Sequence, residues 1–186
     1  MNKMTPEHYR AVAGRAEQLV DAAAVDAALS RMASVVTASL ADKDPIVLCV
    51  MTGGIVATGL LLPRLRFPLR LDYVHATRYR GDTTGGHIDW LHRPSETIRG
   101  EHVLIIDDIF DEGLTMEAIA HACHDDGAAS VLSAVLVEKD RARRCAYRPD
   151  VIGLSVPDRY VMGYGLDYKS YFRNADAILA AAADDV

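Results

Sequence analysis

Apolar residues recur along this chain in two ways, at helical spacing in some stretches and as short unbroken runs in others. Val25, Leu29, Met32, Val36 and Leu40 follow one another at intervals of 4, 3, 4 and 4, which predicts an amphipathic helix over residues 23–40. Upstream, Thr5-Pro6 has the form of an N-cap followed by proline at the first helical position. Residues 42–45 break the long helix. Ile46-Val47-Leu48-Cys49-Val50-Met51 is then a continuous apolar run, as expected of a strand buried on both faces. Thr52-Gly53-Gly54 reads as a turn, residues 55–62 as a helix stopped by Pro63, and residues 69–77 as another strand. The alternation continues with a strand over 102–106, an acidic turn, a helix over 114–126 ended by Gly127, and a buried strand over 130–137.

Strands alternating with helices, the strands continuously apolar, predict an α/β fold with a central parallel sheet flanked by helices. Residues 79–100 interrupt the rhythm. They are polar, carry Gly81, Gly85, Gly86 and Pro94, and are expected to form a mobile loop or a small hairpin with Trp90 on it or just behind it. After Cys145 the texture changes to short strands rich in tyrosine. The expectation is one domain over residues 1–186, with a core of about 25–145 and a small lobe built from the chain ends, about 1–24 and 146–186.

Composition narrows the function. Half of the 186 residues are hydrophobic and a quarter charged, so the chain can bury a sizeable core and is not a disordered segment. A net charge of −6 argues against sequence-independent nucleic-acid binding, which needs a basic face; Arg141, Arg143 and Arg144 are the only tight basic cluster. No unbroken apolar run approaches the roughly 18 residues of a membrane span, and no apolar signal segment follows Met1, so the expectation is a cytoplasmic protein without a membrane partner. Cys49, Cys123 and Cys145 lack a C-x-x-C pair and read as idle thiols in a reducing compartment, and His121, Cys123 and His124 do not have zinc spacing.

Chemistry concentrates in the acidic turn. Asp107, Asp108, Asp111 and Glu112 are four acids within six positions, directly after a buried strand and before a helix. Helix N-termini favour one or two acids, but not four interrupted by Ile109 and Phe110. Ligands of open α/β sheets bind beyond the carboxyl ends of strands. There the free N–H groups of residues 111–115 can cradle a phosphate, while Asp107 and Asp108 can accept hydrogen bonds from vicinal hydroxyls or hold Mg²⁺. A sugar phosphate meets both demands. No G-x-x-x-x-G-K-[ST] loop occurs, and Gly53-Gly54 lacks the dinucleotide-binding pattern.

The segment from Val103 to Thr115 resembles the phosphoribosyl-diphosphate signature of type I phosphoribosyltransferases, an apolar strand running into D/E-D-x-x-D-T-G-x-T. Residues 72–79 and 160–168 resemble segments of the hypoxanthine-guanine members, and the likeness spans roughly residues 20–175. The resemblance implies that Asp107 and Asp108 bind the ribose hydroxyls and influence a nearby Mg²⁺. It makes Asp111 the acceptor of the purine N7 proton, and gives the 5-phosphate to Thr115 with the amides of Glu112, Gly113 and Leu114. Thr52 and Gly53 would contact diphosphate in a loop that often contains a non-proline cis peptide, and Arg173 would approach the same group. Arg78 and Tyr79 would begin the loop that closes over the site. Lys139, one of only four lysines, would donate to the purine 6-oxo group; Tyr160 would stack on the ring and Val161 would offer backbone contacts. Asp167 would lie near a second Mg²⁺ and the purine 2-position, whereas Tyr164, Tyr168 and Tyr171 read as core.

Two positions depart from the family pattern: Glu112 stands where Thr or Ser is usual, and Thr52 where Lys or Arg is frequent. The function implied is transfer of a phosphoribosyl group to hypoxanthine or guanine by a homodimer or homotetramer. A xanthine-preferring or pyrimidine-using relative, and a non-catalytic nucleotide-sensing regulator of the same fold, are the alternatives.

Overall fold

The computed structural model describes residues 3–78, 88–95, 97–142 and 145–186, with Thr77, Arg78 and Ile88 described by their backbone alone. The elements run α1 (Pro6–Arg15), β1 (Glu17–Val20), α2 (Ala22–Leu40), β2 (Ile46–Val50), α3 (Gly54–Leu61), β3 (Arg70–Arg78), β4 (Ile88–His92), β5 (His102–Phe110), α4 (Leu114–Asp125), β6 (Ser130–Asp140), β7 (Val151–Pro157), β8 (Val161–Met162) and β9 (Ile178–Ala180). Single 3₁₀ turns follow α3 at Leu62–Arg64 and close the chain at Ala183–Asp185.

Among the described residues the larger sheet has the order β4-β3-β2-β5-β6-β7. It is parallel from β3 to β7, and β4 is added antiparallel to β3. Successive residues of β5 face opposite layers. Leu104 and Ile106 pack with the α2 and α3 residues Val25, Leu29, Met32, Val36, Ala57 and Leu61. Val103 and Ile105 pack with Met116, Ile119, Ala120 and Cys123 of α4. Both faces are dry, which is why the strand reads as an unbroken apolar run. The crossovers β2-α3-β3 and β5-α4-β6 run outward in opposite directions from the β2/β5 boundary, and their helices lie on opposite faces. That boundary is a topological switch point, where open α/β sheets leave a crevice.

Several elements differ from the expectation. β5 continues four residues past Ile106, because β6 goes on pairing with it through Phe110↔Glu138; Asp107 and Asp108 are therefore strand residues, and the turn is confined to residues 111–113. β6 likewise extends to Asp140, so Lys139 lies within the strand. β7, expected in the small lobe, completes the main sheet in parallel with β6. Part of the 79–100 stretch is β4, paired with β3 as a hairpin arm that carries Trp90; Tyr79 and residues 81–87 lie outside the described residues. Helix α2 has the length and apolar composition of a membrane span, which its alanine-rich sequence hides from a search for unbroken apolar runs. Its apolar stripe is nevertheless buried in the core.

The chain ends form a second, three-stranded sheet, β1-β9-β8, with Val161 and Ile178 packed into the main core. Beneath α1, Val12, Met162, Tyr168 and Phe172 make a separate cluster in which Tyr9 stacks on Phe172 at 4.1 Å. Tyr168 is buried, and Tyr164 and Tyr171 pack against core clusters, as expected of non-functional tyrosines. Arg15 at the end of α1 grips the Asp185 carboxylate through Nη2 at 2.5 Å and Nε at 3.1 Å.

That fork holds the Asp185 carboxyl below the usual aspartate range, chiefly through the hydrogen bond from Arg15. A group whose native pKa is depressed stabilises the fold at pH above its unfolded value, about 3.9, and the contribution is lost as pH falls through the lower native value. Thermal melts between pH 6 and pH 3 are therefore expected to show a falling midpoint, with the slope at the acid end reduced in Asp185→Asn. An unchanged slope would assign the acid sensitivity to other groups.

Candidate active site

The cleft opens where β2 stops short of its neighbours. β2 pairs with β5 only as far as Cys49↔Ile106, whereas β6 accompanies β5 to Phe110. Asp107 and Asp108 stand in the notch so created, each 8 % exposed. The Asp108 N–H donates to Asp107 Oδ1 at 2.9 Å. Burial, followed by the neighbouring charge of Asp108, pushes the Asp107 carboxyl well above the usual aspartate range. Burial also raises Asp108, against the opposing hydrogen bond with Asp107 and the positive charge of Arg173. Two acids of this kind call for a partner that brings positive charge or hydroxyl donors.

Beyond β2 the chain turns through Met51-Thr52-Gly53, and the Met51–Thr52 peptide is cis. Gly53 passes so close to the acid pair that a Cβ there would meet the Asp108 carboxylate at 2.1 Å, so no other residue fits without displacing it. Across the cleft, β5 ends in the turn Asp111-Glu112-Gly113. Gly113 takes a left-handed conformation (φ 90°) and caps α4 without a side-chain hydrogen bond. The first amides of this 12-residue helix thus face the cleft with no side-chain cap, beside the Thr115 side chain, which is the local form of an anion cradle.

One cleft of about 300 Å³ is lined by Gly53, Asp107, Asp108, Asp111, Glu112, Gly113, Thr115, Asp167 and Arg173, which brings together most of the residues picked out in the sequence. Arg173 Nη2 pairs with Asp167 Oδ1 at 2.7 Å and Nη1 donates to the Gly165 carbonyl at 2.5 Å. Lys139 reaches the cleft through Asp111, its Nζ lying 3.2 Å from Asp111 Oδ2. Thr52 and Leu114 are not among the lining residues: Thr52 is exposed next to Gly53, and Leu114 is the first residue of α4. Tyr160 and Val161 do not line the cleft: Tyr160 is 37 % exposed with its ring edge-on to Tyr168, and Val161 is buried in the small sheet. The Arg78 side chain and Tyr79 lie outside the described residues.

Sequence reading passed over two members of the site. Arg141 Nη1 donates to Asp111 Oδ1 at 2.9 Å, and Asp158 Oδ1 lies 3.5 Å from Arg141 Nη1 and 3.8 Å from Lys139 Nζ. The signal was available in the spacing: residues 139 and 141 share a face at a strand end, and the register Asp140↔Pro157 puts Asp158 alongside.

The donor set suits a hard cation at the sugar end. Among the described residues no three Asp, Glu, His or Cys side chains converge as a self-sufficient cage. Magnesium is typically held by one or two carboxylates with the rest of its shell drawn from substrate phosphates and water, so the buried Asp107–Asp108 pair is a sufficient protein share.

The chain is similar to known proteins. A family model described as a phosphoribosyl transferase domain matches residues 15–169. The hypoxanthine-guanine-xanthine phosphoribosyltransferase of Tritrichomonas foetus is 32% identical over 151 residues, covering 81% of this chain and 82% of the relative. The hypoxanthine-guanine phosphoribosyltransferase of Streptococcus pneumoniae is 30% identical over 148 residues, covering 79% and 82%. In fold, a hypoxanthine phosphoribosyltransferase from Staphylococcus aureus superposes with a TM-score of 0.87 over 98% of both chains at 22% identity.

Removing one charge from the acid pair should stabilise the protein. In Asp107→Asn the side-chain oxygen can still accept from the Asp108 N–H while the buried repulsion disappears. The expected outcome is a thermal midpoint at pH 7.5 several degrees above wild type. A lower midpoint would mean that the carboxylate is already compensated in the free protein.

Proposed function

The chain belongs to the hypoxanthine-guanine family of type I phosphoribosyltransferases, and on that premise we propose that it transfers the 5-phosphoribosyl group of phosphoribosyl diphosphate to N9 of hypoxanthine or guanine, a purine-salvage reaction giving IMP or GMP and diphosphate. The observation that carries this reading is the meeting, at one cleft, of an uncapped helix start, a buried acid pair and an aspartate paired with a lysine.

The amides at the start of α4 and the Thr115 hydroxyl take the 5-phosphate, and Asp107 and Asp108 accept hydrogen bonds from the ribose 2- and 3-hydroxyls. Thr52, Gly53 and Arg173 meet the diphosphate, Arg173 exchanging its contact with Asp167 for the incoming oxygens. As the purine N9 lone pair forms the bond to C1, the C1–O bond breaks and its electron pair leaves with diphosphate, while the N7 proton passes to Asp111. Fixed geometry and a positioned proton acceptor supply much of the acceleration. Lys139, an N–H donor with no lone pair, suits a 6-oxo group and disfavours a 6-amino group. The purine lies beyond the sugar-phosphate cleft, where the part-exposed Tyr160 packs on its ring, Val161 offers its backbone, and Asp167 lies toward its 2-position. Asp107, Asp108 and Asp167 are the proposed protein ligands for Mg²⁺, which when bound supplies charge neutralisation to the leaving diphosphate.

Glu112 takes the place of the family's Thr or Ser. Its carboxylate turns away from the phosphate, with the Glu112 backbone N–H left to serve that group. A homodimer or homotetramer in a reducing cytoplasm is the proposed state. Free thiols at all three cysteines support the compartment, and exposed Ile55, Leu71 and Tyr73 around an apolar groove support self-association.

Steady-state assays with hypoxanthine, guanine, xanthine, adenine and uracil, with and without Mg²⁺, test the reading. Turnover of hypoxanthine or guanine that requires Mg²⁺ is expected. Asp111→Asn should lower kcat by about 10²-fold or more, and Glu112→Thr should leave KM for phosphoribosyl diphosphate within about twofold. Negligible turnover of both 6-oxopurines would overturn the substrate assignment.

A further inference from the structure

Among the described residues, two cations hold Asp111, on two different oxygens. Lys139 Nζ lies 3.2 Å from Oδ2, and Arg141 Nη1 lies 2.9 Å from Oδ1. Asp158 faces both cations with one oxygen, at 3.8 Å from Lys139 and 3.5 Å from Arg141. The proposed reaction gives Lys139 a second task, donation to the purine 6-oxo group; its three N–H groups allow both contacts, but an ammonium drawn toward that oxygen holds Oδ2 less closely. The N7 proton then approaches Oδ2 more readily. An aspartate χ2 torsion is broad and nearly two-fold, so more of the orienting falls to the contact at Oδ1.

We propose that Arg141 is a positioning residue: it keeps Asp111 Oδ1 fixed so that the carboxylate stays aimed at the base while Lys139 turns from Oδ2 to the purine oxygen. The inference rests on the reading of the site given above. Arg141 suits the task because its guanidinium stays charged at every working pH, and because it sits just beyond β6, two residues from Lys139, so both cations leave the sheet at the same strand end. The recorded contacts of Arg141 to Asp111 and Asp158 all use Nη1. A single ammonium can replace such a one-atom contact, which it cannot do for a two-nitrogen fork. Asp158, at the end of β7, holds the Arg141 head between two carboxylates and gives Lys139 an alternative partner when it leaves Asp111. The side chains of Arg141, Asp111 and Asp158 are 30 %, 39 % and 45 % exposed, and ion pairs this open contribute little to folding. Their value lies in orientation.

The test uses the full chain as wild type, Arg141→Met and Arg141→Lys, measuring kcat, both KM values and the thermal midpoint. For Arg141→Met, kcat with hypoxanthine should fall about ten- to a hundredfold, with KM for phosphoribosyl diphosphate within about twofold and the midpoint within about 2 °C of wild type. Arg141→Lys should restore most of the lost kcat. Unchanged kcat in Arg141→Met, a loss carried by KM alone, or a loss equally severe in Arg141→Lys would each overturn the role. If wild type transfers nothing to a 6-oxopurine, the reading of the site falls and this role with it. An active wild type with unaltered variants removes only the role of Arg141.

Discussion

Two adjacent carboxylates taken out of water set the terms for the rest of this molecule. Burial raises the cost of ionising both Asp107 and Asp108, the charge of Asp108 adds to it at Asp107, and both are nearly sealed from solvent. Such a pair survives only where its frame is stable without it. β5 provides that frame, lying near the middle of the sheet with strands on either side and a dry layer on each face. Hydrogen bonding to β6 continues beneath the acids, so the backbone carrying them is fixed by pairing and does not depend on what the carboxylates bind. The early end of β2 then leaves them accessible from one side, at the point where the chain's winding reverses. Stability is concentrated in the layer below the site and spent within it, as the conflict between a stable fold and a working cleft requires.

Most of the fold was legible because its signals are local. The stripe from Val25 to Leu40, the runs 46–51 and 130–137, and the glycine ending α4 each depend on neighbours in sequence. The parts that were not legible depend on a partner strand. Asp107 and Asp108 lie in a strand because β6 pairs with them, although no propensity scale puts two aspartates there. β7 belongs to the main sheet because its register matches β6, a long-range fact that its short sequence, with Gly153 inside it and Pro157 at its end, conceals.

The site divides in the same way. The acid motif and its helix start are contiguous, and the chain shows them at once. Arg173 with Asp167, and Arg141 with Asp158, meet the acids only through folding, across turns that include Gly163, Tyr164 and Gly165 at positive φ. Lys139 was visible because lysine is scarce in this chain, whereas Arg141 stood among arginines and carried no such flag. A functional residue is therefore easiest to read where its type is rare and its partners are adjacent, and hardest where it is common and its partner lies on another strand.

The electrostatic layout separates two kinds of aspartate within one turn. Asp111 is matched by Lys139 and Arg141, whereas burial dominates at Asp107 and Asp108, joined at Asp107 by the charge of Asp108 and offset at Asp108 by the hydrogen bond with Asp107 and the positive charge of Arg173. Environments that pull like residues apart in this way assign them different work. The matched acid can take a proton once a cation is drawn away, and the unmatched pair awaits hydroxyl donors and positive charge. A ligand bearing phosphate at one end and diphosphate at the other would be repelled by the pair if it entered bare, because a helix terminus offers only about half a positive charge. For the proposed substrate, neutralisation of the diphosphate would therefore ease entry as well as departure. The same carboxylates that make the free cleft unfavourable would then favour the neutralised form of the ligand over the bare anion.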